Sequence, residues 1–507
     1  MKNHTNVKKL LVYALLAGLM CVLSGCMGQL QERPMLDLTQ VDVAVLTDAP
    51  QADGVEARDE TVLLYFLDEE GMELLPVSRT IAVEGGMSRS EAALRTLLAG
   101  PAPGERAFWP EIGVMNASRG YELSGGVATV DLPARARALS TEALYAVRMA
   151  ITHTLTEFSE VAYVNVLVGG REEGFDLAAT MPMGTLSRTE DLDVAARYLR
   201  QDDVRQSAQD TGITRMTTLY FPSEDGRWLL PEVRNVTYAA LTPIEYLYTI
   251  LEEFGKGTEN ALCMDVPAPM KYIEEMPEIV RTEDGAYRAI EICLDTQIDA
   301  ALQEAGLTRG VYLAMLTNTL MGFVPGVEGV LVRIGGEQVT GLAAQETPNG
   351  QEMAFAQTLA TRSDFDGYVG APGVIYMPDV KKGVLLKETC VLSQAGPGRA
   401  REVLWQLTQR LVQADILDHG LMEEDILAVY VGDRRVLINL SAAYGRQIAA
   451  LTGEQECLVV YAMVNTLTEG SVERAAFFVE GKQVQRLAGG LEMRGDFLRN
   501  PGMVVEN

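Results

Sequence analysis

Polar and apolar positions along the 507-residue chain follow two periods, and the order in which those periods alternate occurs three times. Period two marks a strand, because successive side chains of an extended chain point to opposite faces. Val130 and Leu132, Ile292 and Leu294, and Ile438 and Leu440 form apolar sets separated by Asp131, Cys293 and Asn439. The apolar residues are expected to face a core, and the three between them to face solvent or a sheet edge. Each strand leads to an apolar helix whose end reads "ITHTLTE" from Ile151, "LTNTLMG" from Leu316 or "VNTLTEG" from Val464. In the last helix Val460, Met463, Val464 and Leu467 recur at i, i+3, i+4 and i+7, one buried stripe. Arg148, Ile151, Thr152 and Leu155, and Leu313, Leu316, Thr317 and Leu320, largely keep that stripe.

The surroundings of the three helices repeat as well. A β-branched run and a glycine turn follow each one: "VAYVNVLVGGR", "VEGVLVRIGGE" and "VERAAFFVEGK". An amphipathic helix precedes each strand, in "RSEAALRTLLAGP", "TPIEYLYTILEEFGKG" and "RAREVLWQLTQRLV". Two further strands open each unit, with Tyr65, Tyr220 and Tyr376 spaced 155 and 156 residues apart. The common order is β-hairpin, helix, strand, long apolar helix, strand. This predicts an α+β fold: three tandem small mixed-sheet domains, each with two helices packed on one face. The expected domains are 61–188, 217–342 and 373–487. Polar, weakly periodic stretches at 27–60, 189–216 and 343–372 read as linkers, and 488–507 as a tail. In the middle unit "VPAPMKYIEEMPEIVRTEDG" reads as an insertion in which Pro267, Pro269 and Pro277 break regular structure.

Residues 1–26 do not fit this plan. Lys2, Lys8 and Lys9 precede the apolar "LLVYALLAGLMCVL", and "LSGC" ends at Cys26. The segment resembles a bacterial lipoprotein signal peptide with its lipobox. That resemblance implies that Cys26 carries a diacylglyceryl thioether and becomes the mature N-terminus. The mature chain is then expected on the extracytoplasmic face of the cell membrane, held there by lipid. Apart from this leader no apolar run approaches the roughly 18 to 20 residues that a membrane helix needs.

Charge narrows the partners. With 42 Lys and Arg against 70 Asp and Glu, the formal net charge is −28, which repels nucleic-acid phosphates. Cys263, Cys293, Cys390 and Cys457 form no CxxC pair, so isolated buried thiols are expected rather than zinc ligands or two disulfides. His153 aligns with Asn318 and Asn465, which predicts a polar position on a helix surface. His419 lies in "LDHGLMEED", a solvated turn rather than a metal site. GxSxG, HExxH and P-loop motifs are missing. The adjacent glutamate pairs point apart and cannot oppose one another across a cleft. "SDFDG" from Ser363 lacks the later ligands of a calcium loop. The expectation is therefore no enzyme, no catalytic residue, no metal and no cofactor. Trp228, after the turn "EDGRW", is the candidate interface anchor, and Trp405 is expected in the core. Thr154, Thr319 and Thr466 are expected to hydrogen-bond back to their own helix.

Taken together, "TTLYFPSEDGRWLLPEVRNV", "SEAALRTLLAGP", "GGVATVDLP" and "VNTLTEGSVERAAFFVEGK" resemble the GerM domain of spore germination and sporulation lipoproteins. The likeness spans Thr61–Arg188, Thr217–Leu342 and Gly373–Leu487. It implies a fold like that of ring-building modules and a non-enzymatic role in an envelope complex between two membranes. Implied partners are envelope or sporulation-complex proteins and, as a homo-oligomer or ring, the chain itself. The sporulation protein that names the domain carries two copies rather than three, and Cys293 replaces the polar residue of the other copies. The alternative reading is a lipoprotein that holds a cell-wall polymer or peptide in a groove between modules.

Overall fold

The computed structural model describes residues 49–505, apart from 114–119, 177–179, 209–211, 283–284, 395, 433, 471 and 488–490. The leader and Cys26 lie outside the described residues.

A short strand β1 (Gly54–Val55) precedes unit 1, which contains β2 (Arg58–Leu67), β3 (Leu74–Val83), α1 (Arg89–Leu98), β4 (Tyr121–Ser124), β5 (Val127–Leu132), α2 (Thr141–Leu155) and β6 (Tyr163–Val168), followed by α3 (Val194–Ala208). Unit 2 contains β7 (Ile213–Pro222), β8 (Leu229–Tyr238), α4 (Pro243–Glu253), β9 (Ile273–Arg281), β10 (Arg288–Leu294), α5 (Gln297–Glu304), α6 (Arg309–Met321), β11 (Gly329–Ile334), β12 (Glu337–Gln338), β13 (Gly341–Leu342) and β14 (Met353–Ala354). Unit 3 contains β15 (Ala371–Asp379), β16 (Val384–Leu392), α7 (Arg399–Gln413), β17 (Ile426–Gly432), β18 (Arg435–Leu440), α8 (Ala442–Ala449), α9 (Gly453–Leu467), β19 (Arg474–Val479), β20 (Lys482–Gln483), β21 (Phe497–Leu498) and β22 (Val504–Val505).

The architecture is α+β and the repeat is real. In each unit a hairpin forms its own antiparallel ladder, β2–β3, β7–β8 or β15–β16. A separate mixed sheet pairs β5 with β6, β10 with β11 and β18 with β19 in parallel, and the long helix makes the crossover. The start of each long helix is set by a side-chain cap. Ser140 accepts from the Ala143 N–H, Thr308 from Val311 and Thr452 from Gln455. These helices are buried on nearly every side, in α6 from Gly310 through Met321, as an apolar helix between two layers must be.

Three expectations change. An antiparallel strand, β4, β9 or β17, flanks each mixed sheet beside the expected one. In unit 2 that strand is the stretch read as a proline-broken insertion, and Pro277 sits inside β9 at the sheet edge, where a missing N–H is tolerated. The linker at 189–216 holds α3, whose Tyr198 ring lies 5.5 Å from Tyr145. In 343–372, Phe355, Phe365 and Tyr368 are core residues of unit 2, and in 488–507, β21 and β22 pair with β19 and β16. These stretches look polar because only a few of their side chains turn inward. Unit 3 has its own apolar core, whereas one continuous cluster joins Tyr145, Met149 and Phe175 of unit 1 to Tyr220 and Leu247 of unit 2.

Candidate interaction sites

The sequence candidates are redistributed by the fold. Trp228 is half-buried, with its backbone N–H donating to Ser223 Oγ and the Arg227 guanidinium 5.8 Å from its ring. Gly370, at the junction with unit 3, approaches so closely that a Cβ there would lie 2.9 Å from the Trp228 Cβ. Trp405, expected in the core, is half-buried against it. His419 is exposed. The cysteines Cys263, Cys293, Cys390 and Cys457 are free, and only Cys390 is buried. Among the described residues no group of three His, Cys, Asp or Glu side chains could hold a metal ion. His153 is not on a surface: it is 1% exposed, its ring lies 5.3 Å from that of Tyr65, and neither ring nitrogen has a hydrogen-bond partner. Burial, reinforced by Arg188 and Arg197, pushes its pKa down to about 4.

A polar cluster recurs at the end of every long helix. The three threonines do not bond back to their helix; they accept from the backbone of the repeated tyrosine in the first hairpin strand. Tyr65 N–H reaches Thr154 Oγ1 at 2.9 Å, Tyr220 reaches Thr319 at 3.1 Å and Tyr376 reaches Thr466 at 3.0 Å. Over each phenol ring lies an arginine, Arg188 at 5.4 Å, Arg362 at 5.6 Å and Arg499 at 5.2 Å from the centroid. Each arginine also donates to a carbonyl at the end of the long helix, His153 O, Asn318 O and, at the C-cap, Thr468 O respectively. A cation there complements the negative helix end. Two residues before each arginine the chain bridges the second residue of the last parallel strand: Leu186 to Val164, Ala360 to Val330 and Phe497 to Ala475. The arginines of units 2 and 3 fell within an expected linker and tail. The signal that could have found them is their place after the unit, 123, 142 and 123 residues beyond the repeated tyrosine.

In units 1 and 3 the helix end supplies a carboxylate to the phenol. Tyr65 donates to Glu157 Oε1 at 2.9 Å and Tyr376 to Glu469 Oε2 at 2.7 Å, each carboxylate lying 2.6 Å from its arginine. Unit 2 has Gly322 at that position. Its Tyr220 hydroxyl instead meets Glu122 Oε1 of unit 1 at 3.2 Å and Thr129 Oγ1 at 3.3 Å, with Arg362 3.9 Å from Glu122. Glu122, Thr129 and Asn165 form one cross-strand row on the outer face of the unit 1 sheet, and that face packs on unit 2.

The outer face of the unit 3 sheet is covered differently. Strand β1, from the stretch read as a linker, adds in parallel to β17, aligning Gly54 with Tyr430 and Val55 with Val431. Asp53 accepts from the Val429 N–H at 2.8 Å and pairs with Arg401 at 2.8 Å. Asn439 donates to Pro50 O at 3.1 Å, and Ala49 packs on Ala476 and Phe478. Asn439, expected to face solvent or an edge, is buried for this reason. Gln394 ties all three units: it accepts from Leu123 N and donates to Val369 O and Gly370 O. Between units 1 and 2, Arg148 and Glu172 form a fully buried ion pair at 3.1 Å, in which burial pushes the Glu172 carboxyl up to about 7 against the pull of Arg148.

Fold and sites thus define a tandem α+β protein whose units join through sheet faces and edges. Residues 63–174, within unit 1, match the family model Germane, described as sporulation and spore germination. The first unit is thus similar to the Germane family along most of its length, and the other two units repeat its element order. Among solved structures, the chain is similar to the tandem GerMN domains of the sporulation protein GerM from Bacillus subtilis, at 18% identity and a TM-score of 0.22, covering 60% of this chain and 99% of that one. The first GerMN domain of the same protein matches at 22% identity and a TM-score of 0.18, over 26% of this chain and 97% of that one. A candidate lipoprotein from Clostridium perfringens matches at 15% identity and a TM-score of 0.17, over 28% and 93%. No curated protein matches.

Proposed function

We propose that this chain is a lipid-anchored, extracytoplasmic scaffold of a cell-envelope assembly in sporulation or germination, acting by docking rather than by catalysis. The observation that carries the reading is the way the units join. One sheet face offers a carboxylate to a tyrosine and arginine of the next unit, and an edge strand accepts a short parallel strand. Both are recognition modes that a protein can use toward partners of its own fold or of another. The Germane match in unit 1 adds the sporulation setting. Among the described residues no helix is long and apolar enough to cross a membrane, so attachment in this reading rests on Cys26. Lipid on Cys26 would hold the units at the membrane and raise their local concentration.

Cross-linking in sporulating cells, followed by mass spectrometry, tests the scaffold role. Recovery of membrane-complex proteins supports it, and recovery of glycan strands alone replaces it with the binding-protein reading. One feature favours that second reading: a cleft of about 510 Å³ between units 1 and 3, lined by Tyr121, Leu123, Ser124, Gln394 and Arg399. Cys26→Ala should abolish metabolic labelling with palmitate and release the protein from the membrane. A variant that still takes up label contradicts the anchor.

A further inference from the structure

We propose that the Tyr220–Arg362 cluster of unit 2 is a carboxylate socket, filled from outside by Glu122 on the unit 1 sheet, and that this filling holds units 1 and 2 as one docked body. The same socket in units 1 and 3 is closed from within and refuses such a partner.

Comparison of the three copies carries the inference. All share the tyrosine N–H on threonine and the arginine over the ring, so the socket is part of the fold. The source of the carboxylate differs. Units 1 and 3 read Leu-Thr-Glu at the helix end, ending in Glu157 and Glu469; unit 2 reads Leu320-Met321-Gly322. Gly322 is not needed for its backbone, which has an ordinary right-handed φ of −74°. What the position needs is space. A Cβ at 322 would lie 2.9 Å from Asn318 O of its own helix and in van der Waals contact, 3.5 Å, with Asn165 Nδ2 of unit 1, so a longer side chain would have to share its space with the docked sheet.

An acid is required because Arg362 is nearly buried, with 11% of its side chain exposed. A buried cation without a counter-charge is costly. Asp131 from unit 1 and Asp366 from its own segment also face it, across a cavity of about 220 Å³. Glu122 also reaches the Tyr220 hydroxyl, reproducing the bond made by Glu157 and Glu469. The partner that fits the socket is an acid on an exposed sheet face flanked by small polar side chains, here Thr129.

Hydrogen exchange of the full chain, read by mass spectrometry, tests this with E122A, E122Q, G322E and E122A/G322E. In E122A the segments 121–132 and 361–366 should exchange about tenfold faster, while 371–392 in unit 3 keeps its protection. G322E gives unit 2 its own acid and displaces unit 1, so 121–132 should exchange fast while 361–366 stays protected. The double variant should match G322E. The proposal is overturned if E122A leaves both segments within twofold of the parent, or if G322E leaves 121–132 protected. Should E122A also lose protection in unit 3, E122Q, which keeps the size of the side chain, decides. A rise confined to the two segments supports the socket, and no rise overturns it.

Discussion

The backbone N–H of Tyr376 donates to Oγ1 of Thr466 at 3.0 Å, ninety residues further along the chain. This bond pins the first hairpin strand of unit 3 to the end of its long helix, inside the core. Removing the acceptor leaves a buried N–H unpaired, which costs about 1–3 kcal/mol. Thr466→Val should lower the stability of the full chain by that amount in urea unfolding, while Thr466→Ser, which keeps the hydroxyl, should lose much less. Equal losses for the two variants would show that packing of the methyl, not the hydrogen bond, matters. Thr154→Val and Thr319→Val should behave in the same way.

His153 makes unit 1 sensitive to acid. Its folded pKa lies near 4, below the ordinary 6.5, because burial disfavours the charged ring and Arg188 and Arg197 repel it, while Glu157 opposes weakly. Below pH 6.5 the unfolded chain binds a proton that the folded chain refuses. The stability from this group is complete above 6.5 and is lost as pH falls toward 4, on the order of 3 kcal/mol in total. His153→Asn, the residue of the other two units, should remove this component. Urea midpoints at about pH 7 and pH 5 measure it. An identical pH dependence in parent and variant would show that other groups govern acid sensitivity.

Strand β1 fits β17 because Gly54 has no side chain. A Cβ there would lie 2.9 Å from the Tyr430 ring. Gly54→Val should detach the segment 49–57 and speed tryptic cleavage at Arg58 by about tenfold or more. Asp53→Ala, which loses the Val429 and Arg401 contacts, should act in the same direction with a smaller effect. Unchanged cleavage in both variants would mean that the hydrophobic contact of Ala49 suffices.

Arg148 and Glu172 are buried together, so breaking the pair should cost about 3–5 kcal/mol. Arg148→Met leaves the carboxylate without its cation. Its destabilisation should shrink as pH is lowered from about 8 to about 5, because the carboxyl can then be protonated. Arg148→Met/Glu172→Gln should recover much of the loss, since Gln can still accept from Met183 N–H. Calorimetry of the three proteins checks the order parent, double variant, single variant.

Much of the fold was legible. Period-two and helical patterns located the hairpins, the two helices common to every unit and the parallel strands, because those elements bury continuous apolar sets; the short helices α5 and α8, which bury few residues each, were not read. Strand β9 was not legible, since Glu274, Glu275 and Glu278 face outward along an edge and Pro277 imitates a break. The arginines over the rings were hidden for a related reason: Arg188, Arg362 and Arg499 sit in polar segments where one inward side chain leaves no period. His153 looked like a surface residue because a polar side chain in a helix is ordinarily exposed; the packing of Tyr65 against it could not be read locally.

Local pattern determined the repeat, the element order and the core-facing residues, since each depends on neighbours a few positions apart. Which surfaces those units cover was decided by tertiary structure alone. Glu122 is a strand residue like many others until the sheet that carries it meets Tyr220 and Arg362, and Asn439 is a polar strand position until the segment at Pro50 lies across it. Those contacts join residues 98 and 389 positions apart, and their strength comes from desolvation that only the packed chain provides.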